Sequence, residues 1–299
     1  MTSGILLVDK PGGMTSHDVV SRVRRLAGTK KVGHAGTLDP MATGLLLLGV
    51  DSSTRLLTYL VGLDKEYLAT IRLGFATTTD DAEGEPLGPP SATESVTDGD
   101  IFAGIRPLTG AIEQVPSSVS AIKVDGRRSY DRVRSGEEVV LKPRAVVVSA
   151  FEVLEVRRGE TLELDVRVEC SSGTYIRALA RDLGAALGTG GHLTALRRTR
   201  IGPFGVSAAG LLDDALIGTM RSPASVASEL FPTVRLEAGE AIALTQGKRL
   251  EPVGLDPALA DAPGPVAALG PDGRLTGLVT LSHGTARVLV NFPSDEVLG

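Results

Sequence analysis

The stretch Lys31-Val-Gly-His-Ala-Gly-Thr-Leu-Asp39-Pro40 concentrates groups able to do chemistry. His34, Thr37, Asp39 and two glycines lie between a basic patch and the apolar run Gly44 to Val50. The glycines allow close backbone approach or positive φ, and Pro40 biases Asp39 towards an extended conformation that aims its carboxylate. The chemistry offered is that of a directed carboxylate beside an imidazole. The same residues also read as an Asp-Pro turn initiator with a loop histidine. A second stretch, Cys170-Ser-Ser-Gly-Thr-Tyr175-Ile-Arg177, is a glycine-containing turn that follows a strand and opens a helix, where backbone N–H groups can receive a phosphate or carboxylate. Arg177 and Arg181 share a helix face beside the buried stripe. An arginine placed there needs a partner, and Asp39 would supply one, although a local salt bridge to Asp182 or Glu169 would serve too.

Other chemistries are excluded by composition and spacing. The chain has 299 residues, one cysteine and four histidines, with no CxxC or HxxxH spacing for zinc, so no structural metal is expected. GxxxxGK[ST] and GxSxG are absent, and the glycines of Gly188-Thr-Gly-Gly191 do not follow a strand. The N-terminus lacks a basic segment ahead of an apolar core, and no run of 18 apolar residues occurs, so a reducing, cytoplasmic location is expected. Ordinary hydrophobic (42%) and charged (22%) fractions exclude a mainly disordered chain.

The elements that must position these groups follow from periodicity. Ser16 is expected to cap a helix with Val19, Val20, Val23 and Leu26 on one stripe, closed by Gly28. Gly44 to Val50 reads as a fully buried strand. Tyr67 to Leu73 alternates, with Tyr67, Ala69, Ile71 and Leu73 on one face. Ala145 to Val156 and Leu162 to Cys170 read as a hairpin turning through Arg157 to Glu160. Tyr175 to Leu187 is helical, burying Ile176, Leu179, Ala180, Leu183 and Leu187. Strands that pair sequentially, interspersed with helices, predict an α+β fold with a mixed, largely antiparallel sheet. Past a boundary near 211–232, short runs at Ala241 to Leu244, Val266 to Leu269, Leu275 to Leu281 and Ala286 to Phe292 predict a small β-rich module, with Pro252 to Pro265 a loop.

Net charge is −5, which by itself argues against a polyanionic partner. Its distribution argues otherwise. Residues 80–100 carry seven acids and no Lys or Arg, and read as a solvated acidic loop; the remainder of residues 1–210 is positive by seven. Basic residues cluster at Arg22 to Lys31, at Lys123 to Arg134 and at Arg197 to Arg200. Three such clusters would line a groove for a polyanion, or form solvated faces.

Five stretches together resemble the TruB-type tRNA pseudouridine-55 synthases of bacteria: Leu6-Leu-Val-Asp-Lys10-Pro-Gly-Gly-Met-Thr-Ser16, Gly33 to Gly44, Lys65-Glu-Tyr67 leading to Gly74, Gly173-Thr-Tyr-Ile-Arg177, and Gly191 to Arg198. They occur in the family's order and cover roughly residues 4–205. The resemblance implies a pseudouridine-synthase catalytic domain over 1–228, with a 116–145 RNA-contacting insertion, and a PUA-like C-terminal domain over 229–299. It implies an isomerase that converts one uridine in the T-arm loop of tRNA to pseudouridine, without metal or cofactor, as a monomer with no membrane or protein partner. Asp39 matches the family's nucleophile and Arg177 the arginine that pairs with it, keeping it ionised and aimed. Tyr67 matches the ring that packs on the flipped uracil. His34 matches the residue that fills the vacated space, and Tyr175 and Leu196 match further pocket walls. Lys10 and Lys31 complete the expected substrate-binding set. One departure is Val119, where the family commonly has a tyrosine. Two competing readings are an idle RNA-binding protein on the same scaffold and a carboxylate-based nucleoside hydrolase, which would want a second acid.

Overall fold

The structure is a computed structural model and describes residues 3–117, 123–124, 127–128 and 141–292. Among them a nine-stranded sheet carries the motif-bearing part of the chain. Its strands are β1 (Gly4–Lys10), β2 (Val32–His34), β3 (Thr43–Val50), β4 (Lys65–Leu73), β5 (Gly110–Gln114), β6 (Arg144–Arg158), β7 (Leu162–Cys170), β8 (Gly191–Ile201) and β9 (Phe204–Gly205). The main path runs β1-β3-β8-β4-β7-β6-β5, with β2 on β3 and β9 on β8. Only the β3–β8 contact is parallel, at Arg197 opposite Thr43 and Arg198 opposite Gly44. The sheet is therefore mixed and largely antiparallel, as the sequence predicts.

β1 and β3 read as unbroken apolar runs because both of their faces are covered. Leu6, Val8, Leu46 and Leu48 pack on Val19, Val20 and Val23 of helix α1 (Ser16–Ala27). Ile5, Leu7, Leu45 and Leu47 face the other way, into a core shared with Ala267, Leu269, Leu275 and Leu278 of the C-terminal module. β4 and β7 alternate because only one face is dry. Tyr67, Ala69, Ile71, Leu164, Val166 and Val168 join a core with Ile176, Leu179, Ala180 and Leu183. The opposite face carries cross-strand pairs such as Arg72 with Glu163 (2.7 Å) and Arg167 with Glu66 (2.9 Å).

The C-terminal module is a four-stranded sheet of β10 (Thr233–Arg235), β11 (Val266–Leu269), β12 (Leu275–Ser282) and β13 (Thr285–Asn291), in that order. Helix Pro223–Leu230 leads into it, burying Ala224, Val226 and Ala227 in the shared core. Residues 252–265 contain one short helical turn, Pro257–Leu259, and are otherwise irregular.

Several expectations are corrected. The N-cap of α1 is Thr15, not Ser16: Thr15 and Asp18 form a reciprocal capping box, while Ser16 is buried and its hydroxyl binds both the carbonyl and the N–H of Leu38. Ala241 to Leu244 belongs to the helix Ala238–Thr245, started by a box between Glu237 and Glu240; a four-residue apolar run does not distinguish strand from helix. Residues 80–100 are not one solvated loop. Asp80 and Asp81 are buried, Thr97 and Asp100 form a capping box, and a helix runs over Asp98–Ile105, burying Ile101 and Ile105. The 116–145 insertion, Val119 included, lies largely outside the described residues; within it Lys123–Val124 pairs antiparallel with Arg127–Arg128.

Candidate active site

Asp39 stands at a cavity of about 260 Å³ whose wall also includes Tyr67, Tyr175, Arg177, Leu196 and two further cations, Lys65 and Arg198. They come from two neighbouring strands, a helix start and a loop at the sheet's edge. Tyr67 is the third residue of β4, Leu196 and Arg198 lie on β8 opposite Ala69 and Tyr67, and Arg177 lies in the first turn of helix α2 (Ile176–Ala186). Asp39 is delivered by the loop between β2 and β3. The start of β3, just after that loop, approaches β8 closely: Gly44 has φ 99°, and a Cβ there would collide with the Arg198 carbonyl.

Arg177 binds Asp39 with a fork. Its Nε lies 3.0 Å from Oδ2, and Nη2 donates to Oδ1 at 3.1 Å. Both carboxylate oxygens act as acceptors, which is the geometry of the ionised form. The far side of the guanidinium donates from Nη1 to the Thr79 carbonyl (2.8 Å) and lies 3.3 Å from the Asp81 carboxylate. The Arg177 and Asp81 side chains are nearly closed to solvent, whereas that of Asp39 keeps 33% of its exposure, on the cavity side. Burial pushes the Asp39 carboxyl above the usual carboxylate range, Arg177 opposes that, and Asp81 adds to it. The expectation that Arg177 aims Asp39 agrees with this geometry; the direction of the shift shows that desolvation outweighs it.

Asp81 is the residue that the sequence reading missed. Its carboxylate also accepts from the Thr79 hydroxyl and the Glu83 N–H, and its carbonyl from the Thr77 hydroxyl at 2.7 Å. Its neighbour Asp80 binds Arg181 at 3.1 Å, and the Asp80 carbonyl accepts from the Leu193 N–H of β8 at 3.0 Å. The signal was present: two arginines four apart on one helix face need two acids, and Asp80-Asp81 is the matching pair. Arg181 also takes Asp182, the local partner that Arg177 does not use.

Tyr67 is buried, and burial raises its phenol above the ordinary value, so it is a neutral ring and a proton donor at neutral pH. The anion-receiving turn expected before Arg177 is occupied by protein: the Tyr175 N–H donates to the Gln114 amide oxygen (2.8 Å) and Gln114 Nε2 donates to the Tyr175 carbonyl (3.1 Å). His34 does not line the cavity. It sits half-buried with its ring edge-on to His17 at 5.7 Å, and burial followed by His17 and Arg198 lowers its pKa, so it is neutral.

The two expected substrate lysines diverge. Lys31 is exposed on the surface with Arg25 and Lys30. Lys10 is fully buried and donates to the carbonyls of Pro11 (2.9 Å), Met14 (2.7 Å) and Pro40 (3.3 Å). It ties the loop after β1 to the residue following Asp39, and it does not face the cavity. In the third basic cluster Arg200 lies 3.5 Å from Glu169 and the other two arginines are held by protein groups. Arg197 is spent on Asp9 (2.7 and 3.0 Å), and Arg198 is buried with its donors on the Leu45, Gly36 and Thr37 carbonyls.

Comparison with known proteins is consistent along the whole length. Residues 24–176 match the TruB family pseudouridylate synthase N-terminal domain, 177–220 the tRNA pseudouridylate synthase B C-terminal domain, and 231–293 the C-terminal domain of tRNA pseudouridine synthase II. The chain is 60% identical over 299 residues to tRNA pseudouridine synthase B of Leifsonia xyli subsp. xyli, covering 99% of this chain and 98% of that protein. It is 56% identical over 306 residues to the protein of the same name from Arthrobacter sp. strain FB24, covering 100% of both. A solved H/ACA RNP bound to a substrate RNA containing 2′-deoxyuridine shares the fold, with TM-score 0.69 and 24% identity over 98% of this chain and 86% of that one. The chain belongs to the TruB family of pseudouridylate synthases.

Proposed function

We propose that the protein isomerises uridine 55 in the T-arm loop of tRNA to pseudouridine, with Asp39 as the nucleophile. The observation that carries this reading is the Asp39 carboxylate, gripped on both oxygens by Arg177 and open only towards a cavity walled by Tyr67, Tyr175 and Leu196. At about 260 Å³ the cavity is at the small end for ligand sites, in keeping with one base and its sugar. The reaction breaks N1–C1′, turns the uracil and joins C5 to C1′. Each route open to the carboxylate needs it ionised and aimed, and the Arg177 fork supplies both conditions. A base inside a folded loop must first be extruded, which costs a few kcal/mol. Stacking on the Tyr67 ring returns about 1–3 kcal/mol of that. His34 would fill the space the base leaves, and Lys31 with its neighbours would hold phosphates of the stem.

We assign residues 1–228 to catalysis and 229–299 to a PUA-like RNA-binding module, in a monomer that needs no protein partner and works in the cytoplasm. Asp39 is the only acid among the described residues that line the cavity, which disfavours a two-carboxylate nucleoside hydrolase. The deciding experiment uses unmodified tRNA transcript tritiated at uridine C5. Label is released from one T-loop position by the wild type and not by Asp39→Asn. Tight binding without release would establish the idle RNA-binding reading instead.

A further inference from the structure

Two cations at the cavity have no anionic partner within ion-pair distance among the described residues. Lys65 is 5% exposed, and its ammonium donates to the carbonyls of Val61 (3.0 Å) and Leu63 (2.5 Å), leaving its third N–H without a protein acceptor among the described residues. Arg198 is 1% exposed, and its guanidinium donates to the Leu45, Gly36 and Thr37 carbonyls and lies beside the Tyr67 phenol. Gly36 separates the two: a Cβ on it would lie 3.6 Å from both Arg198 Nη1 and Lys65 Cε. No carboxylate among the described residues comes within ion-pair distance of either, because the one at the cavity, Asp39, is held by Arg177.

Adjacent buried cations without a counter-ion are costly to fold around. Holding two carbonyls at the end of the Leu57–Val61 helix does not require a charge, since a neutral donor would do it. A surplus of positive charge at a pocket fits a ligand that is neutral when bound and anionic in transit, the arrangement that stabilises a transition state more than a ground state.

We propose that Lys65 is a catalytic residue whose ammonium, with Arg198 beside it, stabilises the negative charge that the uracil ring acquires as the N1–C1′ bond breaks. In that step the bonding pair leaves with N1 and spreads over O2, O4 and C5. The same pair forms the new C5–C1′ bond as the C1′–oxygen bond to Asp39 breaks and its pair returns to the carboxylate; C5 then loses its proton to water and N1 takes one from water. Lys65 gives its third N–H to the ring as a hydrogen bond and transfers no proton. Burial, followed by the Arg198 charge, lowers the Lys65 ammonium to about 8, so it is still cationic near neutrality. The proposal rests on the cavity being the uridine-isomerising site.

The test compares leaving groups. In single-turnover reactions on T-arm RNA, Lys65→Met is expected to slow isomerisation of uridine about a hundredfold, the scale seen when one preorganised donor is removed from developing charge. With 5-fluorouridine at the same position the fluorine already stabilises the departing ring, and the loss is expected to shrink to less than about tenfold. RNA affinity and its salt dependence stay at wild-type values. Lys65→Gln keeps donors for Val61 and Leu63 but not the charge, and is expected to show the same substrate-dependent loss; it decides the matter if the Met variant does not fold. Equal losses on both substrates, a wild-type rate in Lys65→Gln, or a loss confined to RNA affinity would each overturn the proposal. Inactivity of the wild type itself would instead overturn the reading of the site.

Discussion

Arg177 holds both oxygens of Asp39, at 3.0 and 3.1 Å, while its remaining nitrogen faces Asp81 at 3.3 Å. One buried cation thus serves two carboxylates, and the pair that reaches the cavity is the one in which the acid keeps some solvent. The Asp39 carboxyl lies above its ordinary range because burial outweighs the arginine.

Asp39→Asn removes activity, and its stability effect has a definite sign. A carboxyl whose folded pKa is raised contributes stability that is fully present below the unfolded value and lost as pH rises through the folded value. Above the folded value the wild type has lost that contribution, while a neutral amide has not. The melting temperature of Asp39→Asn is expected to equal or exceed that of the wild type at pH 7, by a few degrees at most, and the difference to close as pH falls below about 4. A variant clearly less stable at pH 7 would contradict the direction of the shift.

Asp81→Asn removes one of the two carboxylates that Arg177 serves, leaving Asp39 and the Thr79 carbonyl in place. Breaking a buried ion pair costs on the order of 3–5 kcal/mol, discounted here because Asp39 remains. The expected outcome is a kcat lower by tenfold or more, with RNA affinity near that of the wild type, read from single-turnover rates and filter binding. A change in affinity alone would place Asp81 at the RNA surface instead.

Lys10→Met tests the carbonyl tie. Burial lowers the Lys10 ammonium to about 8, with Asp39 opposing that and Arg198 adding to it. A lysine whose folded pKa is depressed destabilises the fold below that pKa, so the wild type gains stability as pH rises from about 8 towards the unfolded value of 10.5. The methionine variant has no such gain, and the difference in melting temperature between the two is expected to grow in favour of the wild type across that window. A constant difference would remove the titration from Lys10.

Arg25, Lys30 and Lys31 are exposed beside helix α1, whereas Arg197 is spent on Asp9. Neutralising the three exposed residues together is expected to reduce the slope of log affinity against log salt by about 2 to 3, at roughly 0.7–0.9 per phosphate contact. Arg197→Gln is expected to lower stability and leave that slope unchanged. The opposite pattern would reverse the assignment of the two clusters.

The motif Gly33 to Gly44, the alternation of β4 and β7 and the apolar run of β3 were legible because each is a local property: turn chemistry, a period of two, and burial on both faces. The pairing of Asp39 with Arg177 was legible as a need, since a cation beside a buried stripe wants an acid. Which acids answered it was not. Asp80 and Asp81 read as the start of a solvated loop because seven acids without a base dominate the local composition, and their partners lie about a hundred residues away on α2. Likewise Lys10 read as a substrate-binding residue and Arg198 as part of a basic cluster, yet both are enclosed and bound by carbonyls, among them those of Pro40 and Gly36, distant in sequence.

By itself the sequence determined the family and the largely antiparallel sheet, and singled out the carboxylate that the fold brings to the cavity, because those depend on residue types and short spacings. Only the tertiary structure decided which charges are spent and which are left to act. A charge's energy is set by its solvent and its neighbours across the chain, and folding chooses both.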